Sequence, residues 1–212
     1  LTAVRENFKK VVLLLNVGNI IDMTDINRIA PDAVLYVWQG GMTGGKGTAD
    51  VLTGKVSPSG KLPDTIASNA SDYPSDANFG REKNRDIYAE DIYVGYRYFE
   101  TFAKEKVLYP FGFGLSYTEF EIKTEKAEIT EGAVKLSVSV KNIGPYKGKE
   151  VIEVYCEAPQ GRLGKAARVL CGFEKTRELV PQEEQVVEIA VDIAKLASYD
   201  DSGVTGNKSC YV

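Results

Sequence analysis

Two neighbouring carboxylates, Glu90 and Asp91, lie at the end of a long segment rich in Ser, Asn, Asp, Pro and Gly that covers residues 67–90. Carboxylates about 5 Å apart can act as the nucleophile and the general acid of a hydrolase. Consecutive residues of an extended chain point to opposite sides, so this pair is a poor two-carboxylate site. We therefore treat Glu90 as a candidate for substrate contact, with an ion pair to Arg85 or Arg97 as the alternative.

A glycine-rich turn covers residues 40–48 and has the spacing Gly, four residues, Gly-Lys. This spacing resembles a phosphate-binding loop, in which the lysine is followed by Ser or Thr to hold magnesium. Gly47 occupies that position, and Thr48 comes one residue late, which turns its hydroxyl by about 100° on a helix. We expect no nucleotide binding here. The alternative is a turn that allows close packing, with N–H groups available to a ligand hydroxyl.

The composition excludes several classes of site. The chain of 212 residues contains no histidine, which removes Ser-His-Asp and Cys-His catalysis and most zinc sites. Its three cysteines, Cys156, Cys171 and Cys210, have no metal-ligand spacing, so we expect free thiols, no metal and no cofactor. A net charge of -4 without a basic patch argues against nucleic acid, and the apolar runs are too short to span a membrane. No export signal is visible, which favours the cytoplasm, but the first residue is Leu1 and the location stays open.

The elements that would position these residues begin with an α/β pattern. Continuous apolar runs at residues 11–17 and 33–38 predict buried parallel strands, and amphipathic helices are predicted at 21–29 and up to residue 52. Trp38 and Gln39 fall at the carboxyl end of the second strand, and both are candidates for substrate contact. The alternative for Trp38 is a place in the core, because it is one tryptophan in an otherwise apolar run. Alternating apolar residues at 92–99 predict a further strand.

The second half of the chain has a different pattern. Apolar and polar residues alternate strictly at 134–141, and similar runs occur at 151–155, 168–173 and 186–193. Short strands at this spacing predict an all-β sandwich of about seven strands. We place the domain boundary so that residues 1–118 form the α/β part and residues 119–212 form the sandwich.

Residues 109–118 combine aromatic residues and glycines in an extended segment, Tyr-Pro-Phe-Gly-Phe-Gly-Leu-Ser-Tyr-Thr. Alternation would place Phe111, Phe113, Leu115 and Tyr117 on one buried side. The glycines would let a second surface approach on the other side. We call this segment the strap and expect it to join the two predicted domains.

Five collinear motifs resemble glycoside hydrolase family 3. They are the strand and glycine-rich turn that continue to Pro-Ser-Gly-Lys-Leu-Pro (33–65), the motif Glu-Asp-Ile-Tyr-Val-Gly-Tyr-Arg-Tyr-Phe (90–99), the strap (109–118), and two segments of the sandwich (140–155 and 170–175). Gly40 and Met42-Thr43 depart from the family pattern, which usually has Pro and Gln-Glu there.

The resemblance implies an α/β sandwich domain with a parallel-rich sheet, followed by a fibronectin type III-like sandwich. It implies a retaining β-glycosidase, most closely a β-glucosidase, acting on β-linked glucosides or oligosaccharides. In this family the nucleophilic Asp belongs to a (β/α)₈ barrel and the acid/base Glu lies upstream of the strand at 11–17, so neither catalytic residue is expected here. The alternative function is a non-catalytic β-sandwich module for interaction or carbohydrate binding.

Overall fold

The computed structural model describes all 212 residues, and they divide into two compact units. The first, the α/β unit, comprises residues 1–56, 62–99 and 103–113. The second, the β-sandwich unit, comprises residues 57–61, 100–102 and 114–212. Two short pieces of the first half of the chain, 57–61 and 100–102, therefore belong with the sandwich.

Helices and short strands alternate in the first half of the chain. The elements are α1 (Thr2–Asn7), β1 (Val12–Leu15), α2 (Thr24–Ile29), β2 (Ala33–Tyr36), α3 (Gly44–Leu52), β3 (Ile66–Ala67), α4 (Tyr96–Phe102) and β4 (Val107–Tyr109). Strands β1 and β2 are parallel, with Val12 opposite Ala33, and β3 pairs antiparallel with β4. The predicted order of strand, helix, strand, helix is confirmed. None of the helices combines the length and apolar character that a membrane span requires.

One face of the parallel β1–β2 pair carries the core of the α/β unit. Leu15 packs there with Met23 and Ile66, all at least nine-tenths buried. On the other face Val12 is 50% exposed and Leu14 is 41% exposed. The prediction of a buried strand is therefore wrong for this face of β1.

The predicted strand at 92–99 is wrong, because residues 96–102 form helix α4. Phe99 and Ala103 are buried at helical spacing, and the Phe99 ring meets the Tyr73 ring edge-to-face with centroids 5.4 Å apart. Burial of Phe99 selects the helical period over the local alternation. The predicted loop at 67–90 contains two 3₁₀ helices, Ala70–Asp72 and Pro74–Ala77.

The β-sandwich unit contains antiparallel strands. They are β5 (Phe120–Ile129), β6 (Ala133–Asn142), β7 (Val151–Cys156), β8 (Val169–Lys175), β9 (Glu184–Asp192), β10 (Tyr199–Asp200) and β11 (Cys210–Tyr211). The sheets have the orders β5-β6-β9, β7-β8 and β10-β11. Val138, Val140 and Ile152 form its core together with Leu179. The alternating runs are strands as predicted, and the three cysteines are free thiols as predicted.

The strap differs in part from its prediction. Phe111 and Phe113 are half-buried, but Leu115 is 75% exposed and Tyr117 is 43% exposed. The alternation fails because Phe113 N donates to the Pro110 carbonyl across a turn in which Gly112 has φ +80°. Such a turn changes the side on which later residues emerge.

The close approach expected on the glycine side of the strap is confirmed. A methyl group at Gly114 would overlap the Gly60 carbonyl oxygen, and both residues belong to the β-sandwich unit. Only glycine allows the two backbones to lie this close.

Candidate substrate-contact site at the carboxyl ends of β1 and β2

The two parallel strands β1 and β2 end at the same edge of the α/β unit. Their register pairs Leu15 with Tyr36, so the residues that follow each strand emerge together. These are Gly18 and Asn19 after β1, and Trp38 and Gln39 after β2. Ligands of open α/β sheets bind beyond the carboxyl ends of the strands, so this edge is the first place to look for a site.

Trp38 has a strained backbone. Its φ is +58°, in the left-handed region that bulky residues rarely adopt, and such a residue costs about 1–3 kcal/mol. Its indole is half-buried and lies against the Tyr36 ring, with centroids 4.6 Å apart and the planes tilted by 43°. Trp38 is therefore not a fully buried core residue, because its side chain lies where β2 ends and is only half-buried. Strain of this kind concentrates at functional sites.

Tyr36 connects the two strand ends. Its hydroxyl donates to the Asn19 backbone carbonyl at 3.0 Å, while its ring packs against the core cluster formed by Leu15, Met23 and Ile66. Burial raises the pKa of the Tyr36 hydroxyl above its ordinary value of 10.

Two close approaches shape the turns at this edge, one to a side chain and one to the backbone. A methyl group at Gly18 would lie 2.8 Å from the Gln39 amide nitrogen, and one at Gly40 would lie 2.7 Å from the Gly44 Cα. Gly40 therefore allows the chain to pass directly from the strand end into α3, while Gln39 remains exposed.

The glycine-rich turn leads into α3, and the groups that a phosphate cradle would use make contacts within that helix. Helix α3 already begins at Gly44, so Lys46 lies inside the helix and pairs with Asp50. The Thr48 hydroxyl donates to the Gly44 carbonyl at 2.9 Å. The lysine and the hydroxyl that a phosphate site would use are both engaged in contacts of the helix itself, which favours the packing interpretation of this turn.

Glu90 lies on a separate loop from Trp38 and Gln39. It is half-buried. Arg85 pairs with Glu82, at 2.6 Å between its Nε and Oε2, so the predicted ion pair with Arg85 is wrong. The neighbouring Asp91 is exposed with φ +49°.

A surface cleft of about 280 Å³ adjoins the same turn after β1. Asn19, Asp22 and Asn69 line it, together with the exposed ring of Phe79. Its polar groups are mostly engaged locally: Asp22 accepts from Thr24 N at 2.8 Å, and the Asn69 side chain takes part in a capping box. The cleft therefore offers few free groups to a ligand.

Sequence reasoning did not single out Tyr36 or Asn19. Their positions were visible in the sequence, because Gly18-Asn19 closes the first apolar run and Tyr36 is a residue with a polar tip in the second. Their hydrogen bond depends on parallel pairing of strands about twenty residues apart, which no local pattern shows.

A family model described as the glycosyl hydrolase family 3 C-terminal domain matches residues 1–117. The chain belongs to glycoside hydrolase family 3. A second model, the fibronectin type III-like domain, matches residues 150–206, in agreement with the predicted β-sandwich.

Two curated relatives of this family 3 chain are β-glucosidases from bacteria. The β-glucosidase of Ruminococcus albus is 63% identical over all 212 residues, and β-glucosidase A of Butyrivibrio fibrisolvens is 49% identical over 94% of the chain. The chain spans only 22% and 26% of the lengths of these two proteins.

Solved structures of the family have the same fold. A β-glucosidase from Paenibacillus barengoltzii matches 99% of the chain with a TM-score of 0.95 and 52% identity. β-Glucosidase 3B from Thermotoga neapolitana in complex with glucose matches 92% with a TM-score of 0.84 and 41% identity. The chain covers 23% and 27% of these two structures.

Proposed function

We propose that this chain is part of a retaining β-glycosidase, most specifically a β-glucosidase, that hydrolyses terminal non-reducing β-linked sugars. The observation that carries the proposal is the 63% identity to a β-glucosidase over every residue of the chain. Two relatives at 63% and 49% identity carry the same activity in their names.

The catalytic carboxylates of this enzyme lie outside the 212 residues. Retention requires a nucleophile and an acid/base about 5–5.5 Å apart. The one pair considered in the sequence, Glu90 and Asp91, consists of consecutive residues, and Asp91 is exposed with a left-handed backbone. In the family resemblance the nucleophile comes from a barrel domain and the acid/base from an upstream stretch.

The contribution of this chain is contact with the sugar. The indole of Trp38 offers a flat apolar face for a pyranose ring, and the exposed amide of Gln39 offers a donor and an acceptor to its hydroxyls. Glu90 is a third candidate for contact, from a separate loop. Aromatic faces with a few polar groups are the usual lining of a small-molecule site.

The test compares two proteins on an aryl β-glucoside. The purified 212-residue chain should show no turnover, while the product of the complete reading frame that contains it should release glucose with retained configuration, followed by NMR of the first-formed anomer. A complete reading frame that encodes no barrel and shows no turnover would favour the non-catalytic module instead.

A further inference from the structure

We propose that Tyr36 is a positioning residue that holds Trp38 in its left-handed conformation at the sheet edge. We call this positioning of Trp38 by Tyr36 the lock, and it is a property of the chain alone. Only its consequence, sugar contact by Trp38, rests on the proposed function. Three observations carry it: the hydroxyl bond of Tyr36, the contact between the two rings, and the anchoring of Tyr36 in the core.

The ladder between the strands ends immediately before the strained residue. Val37 N donates to the Leu15 carbonyl at 2.9 Å, and the chain then turns at Trp38 with φ +58°. A left-handed conformation at a bulky residue persists only when its surroundings over-determine it. The ring of Tyr36, two residues back, is the aromatic neighbour that the indole contacts.

Tyr36 is suited to this task because it is held at both ends. Its ring packs against the cluster of Leu15, Met23 and Ile66, and its hydroxyl donates to the Asn19 carbonyl 17 residues earlier. The ring therefore cannot swing away from the indole without leaving the core and breaking the hydrogen bond. A flat, fixed ring at 4.6 Å limits the rotamers that Trp38 can adopt.

Trp38 is the one tryptophan of the chain, so indole fluorescence reports on this site alone. The experiment measures acrylamide quenching of the indole in the 212-residue chain, without sugar, for the wild type, Tyr36→Phe and Tyr73→Phe. Tyr73 is the control: its hydroxyl donates to the Thr65 carbonyl at 3.0 Å and accepts from Ala67 N at 2.9 Å, and its ring packs on Phe99 in the same unit. Far-UV circular dichroism verifies that each variant is folded.

We expect the Tyr36→Phe variant to raise the quenching constant at least about twofold, because the ring loses its anchor and the half-buried indole opens to the quencher. Tyr73→Phe should leave the quenching constant unchanged although it also removes a hydrogen-bonded hydroxyl. Equal quenching in the wild type and Tyr36→Phe would overturn the proposal, and so would an equal rise in both variants, which would indicate general loosening.

A double-mutant cycle supplies a second test that does not need the indole. In a Trp38→Gly background the left-handed backbone carries no strain. Tyr36→Phe should therefore lower the urea concentration at the unfolding midpoint by less in this background than in the wild type. The decrease caused by Tyr73→Phe should stay the same. Additive effects of Tyr36→Phe and Trp38→Gly would contradict the lock.

A glucose titration of the same fluorescence separates the lock from the proposed function. If glucose changes the fluorescence of the wild type and changes that of Tyr36→Phe less, the result supports both the lock and sugar contact by Trp38. Wild-type fluorescence that glucose does not change counts against sugar contact by Trp38, while the quenching comparison still decides whether Tyr36 holds the residue.

Discussion

Lys61 and Glu150 form a largely buried ion pair in the β-sandwich unit, with 2.7 Å between Lys61 Nζ and Glu150 Oε1 and with 20% and 15% of their side chains exposed. Lys61 Nζ also donates to the Gly114 carbonyl at 3.2 Å. Lys175 Nζ donates to the Ser59 carbonyl at 2.9 Å. These contacts fasten residues 57–61 to the sandwich and explain why this piece belongs to it.

Replacing Lys61 by Met should lower the free energy of unfolding by about 2–4 kcal/mol, because it leaves the Glu150 carboxylate buried without its counter-charge. The matched control is Lys147→Met, since Lys147 pairs with Glu178 at 2.8 Å but the two side chains are 56% and 43% exposed. That change should cost about 1 kcal/mol or less. Urea unfolding measures the free energy of unfolding of both variants. A similar decrease in the two would show that burial of the Lys61–Glu150 pair does not affect its contribution to stability.

Gly114 and Gly47 should respond to alanine in opposite directions. Gly114→Ala places a methyl group against the Gly60 carbonyl, which is backbone and cannot move aside cheaply, so we expect a loss of about 2–3 kcal/mol. Gly47→Ala lies inside α3 with nothing within 4 Å of the added carbon, and it should stabilise the chain by about 0.5–1 kcal/mol. Thermal unfolding measures both, and a tolerated Gly114→Ala would contradict the close approach.

Truncation of the strap should be costly only in its first half. Phe113 is half-buried and its ring lies 5.2 Å from that of Tyr109, so Phe113→Ala should lower the free energy of unfolding by about 2–3 kcal/mol. Leu115→Ala, at a side chain that is 75% exposed, should stay within about 0.5 kcal/mol of the wild type. Chemical denaturation distinguishes this from a strap buried along its full length, for which both changes would be costly.

Acid should weaken the loop between β10 and β11 through Asp200. The Thr205 hydroxyl, together with the N–H groups of Thr205, Gly203 and Val204, lowers the pKa of Asp200 from 3.8 to about 2. Because the folded-state pKa lies below the unfolded one, the stabilisation is complete above about pH 4 and is lost as the pH falls towards about 2.

Unfolding of Asp200→Asn and of the wild type at about pH 6 and about pH 3 tests this linkage. The variant should be less stable at the higher pH, and the difference should narrow at the lower one. Asp201→Asn, at the exposed neighbouring residue, serves as the control. A difference between Asp200→Asn and the wild type that does not change with pH would refute a role for the Asp200 charge.

Much of the fold follows from local patterns. Strict alternation at 134–141 predicts β6, because a strand with one buried face requires a period of two. The apolar runs that contain β1 and β2, and the helix that ends before Gly54, also follow from composition and spacing. Trp38 and Gln39 could be named as candidates from the sequence because they come directly after a predicted strand.

Tertiary structure decided the rest. Residues 92–99 alternate like a strand, yet burial of Phe99 against Tyr73 makes residues 96–102 a helix. The turn at Gly112 breaks an alternation that the sequence continues to Tyr117. The left-handed backbone of Trp38 and the bond from Tyr36 to Asn19 exist because parallel pairing brings two distant strand ends together. A local pattern sets the period of an element, whereas the sign of φ at one residue depends on partners that only the folded chain supplies.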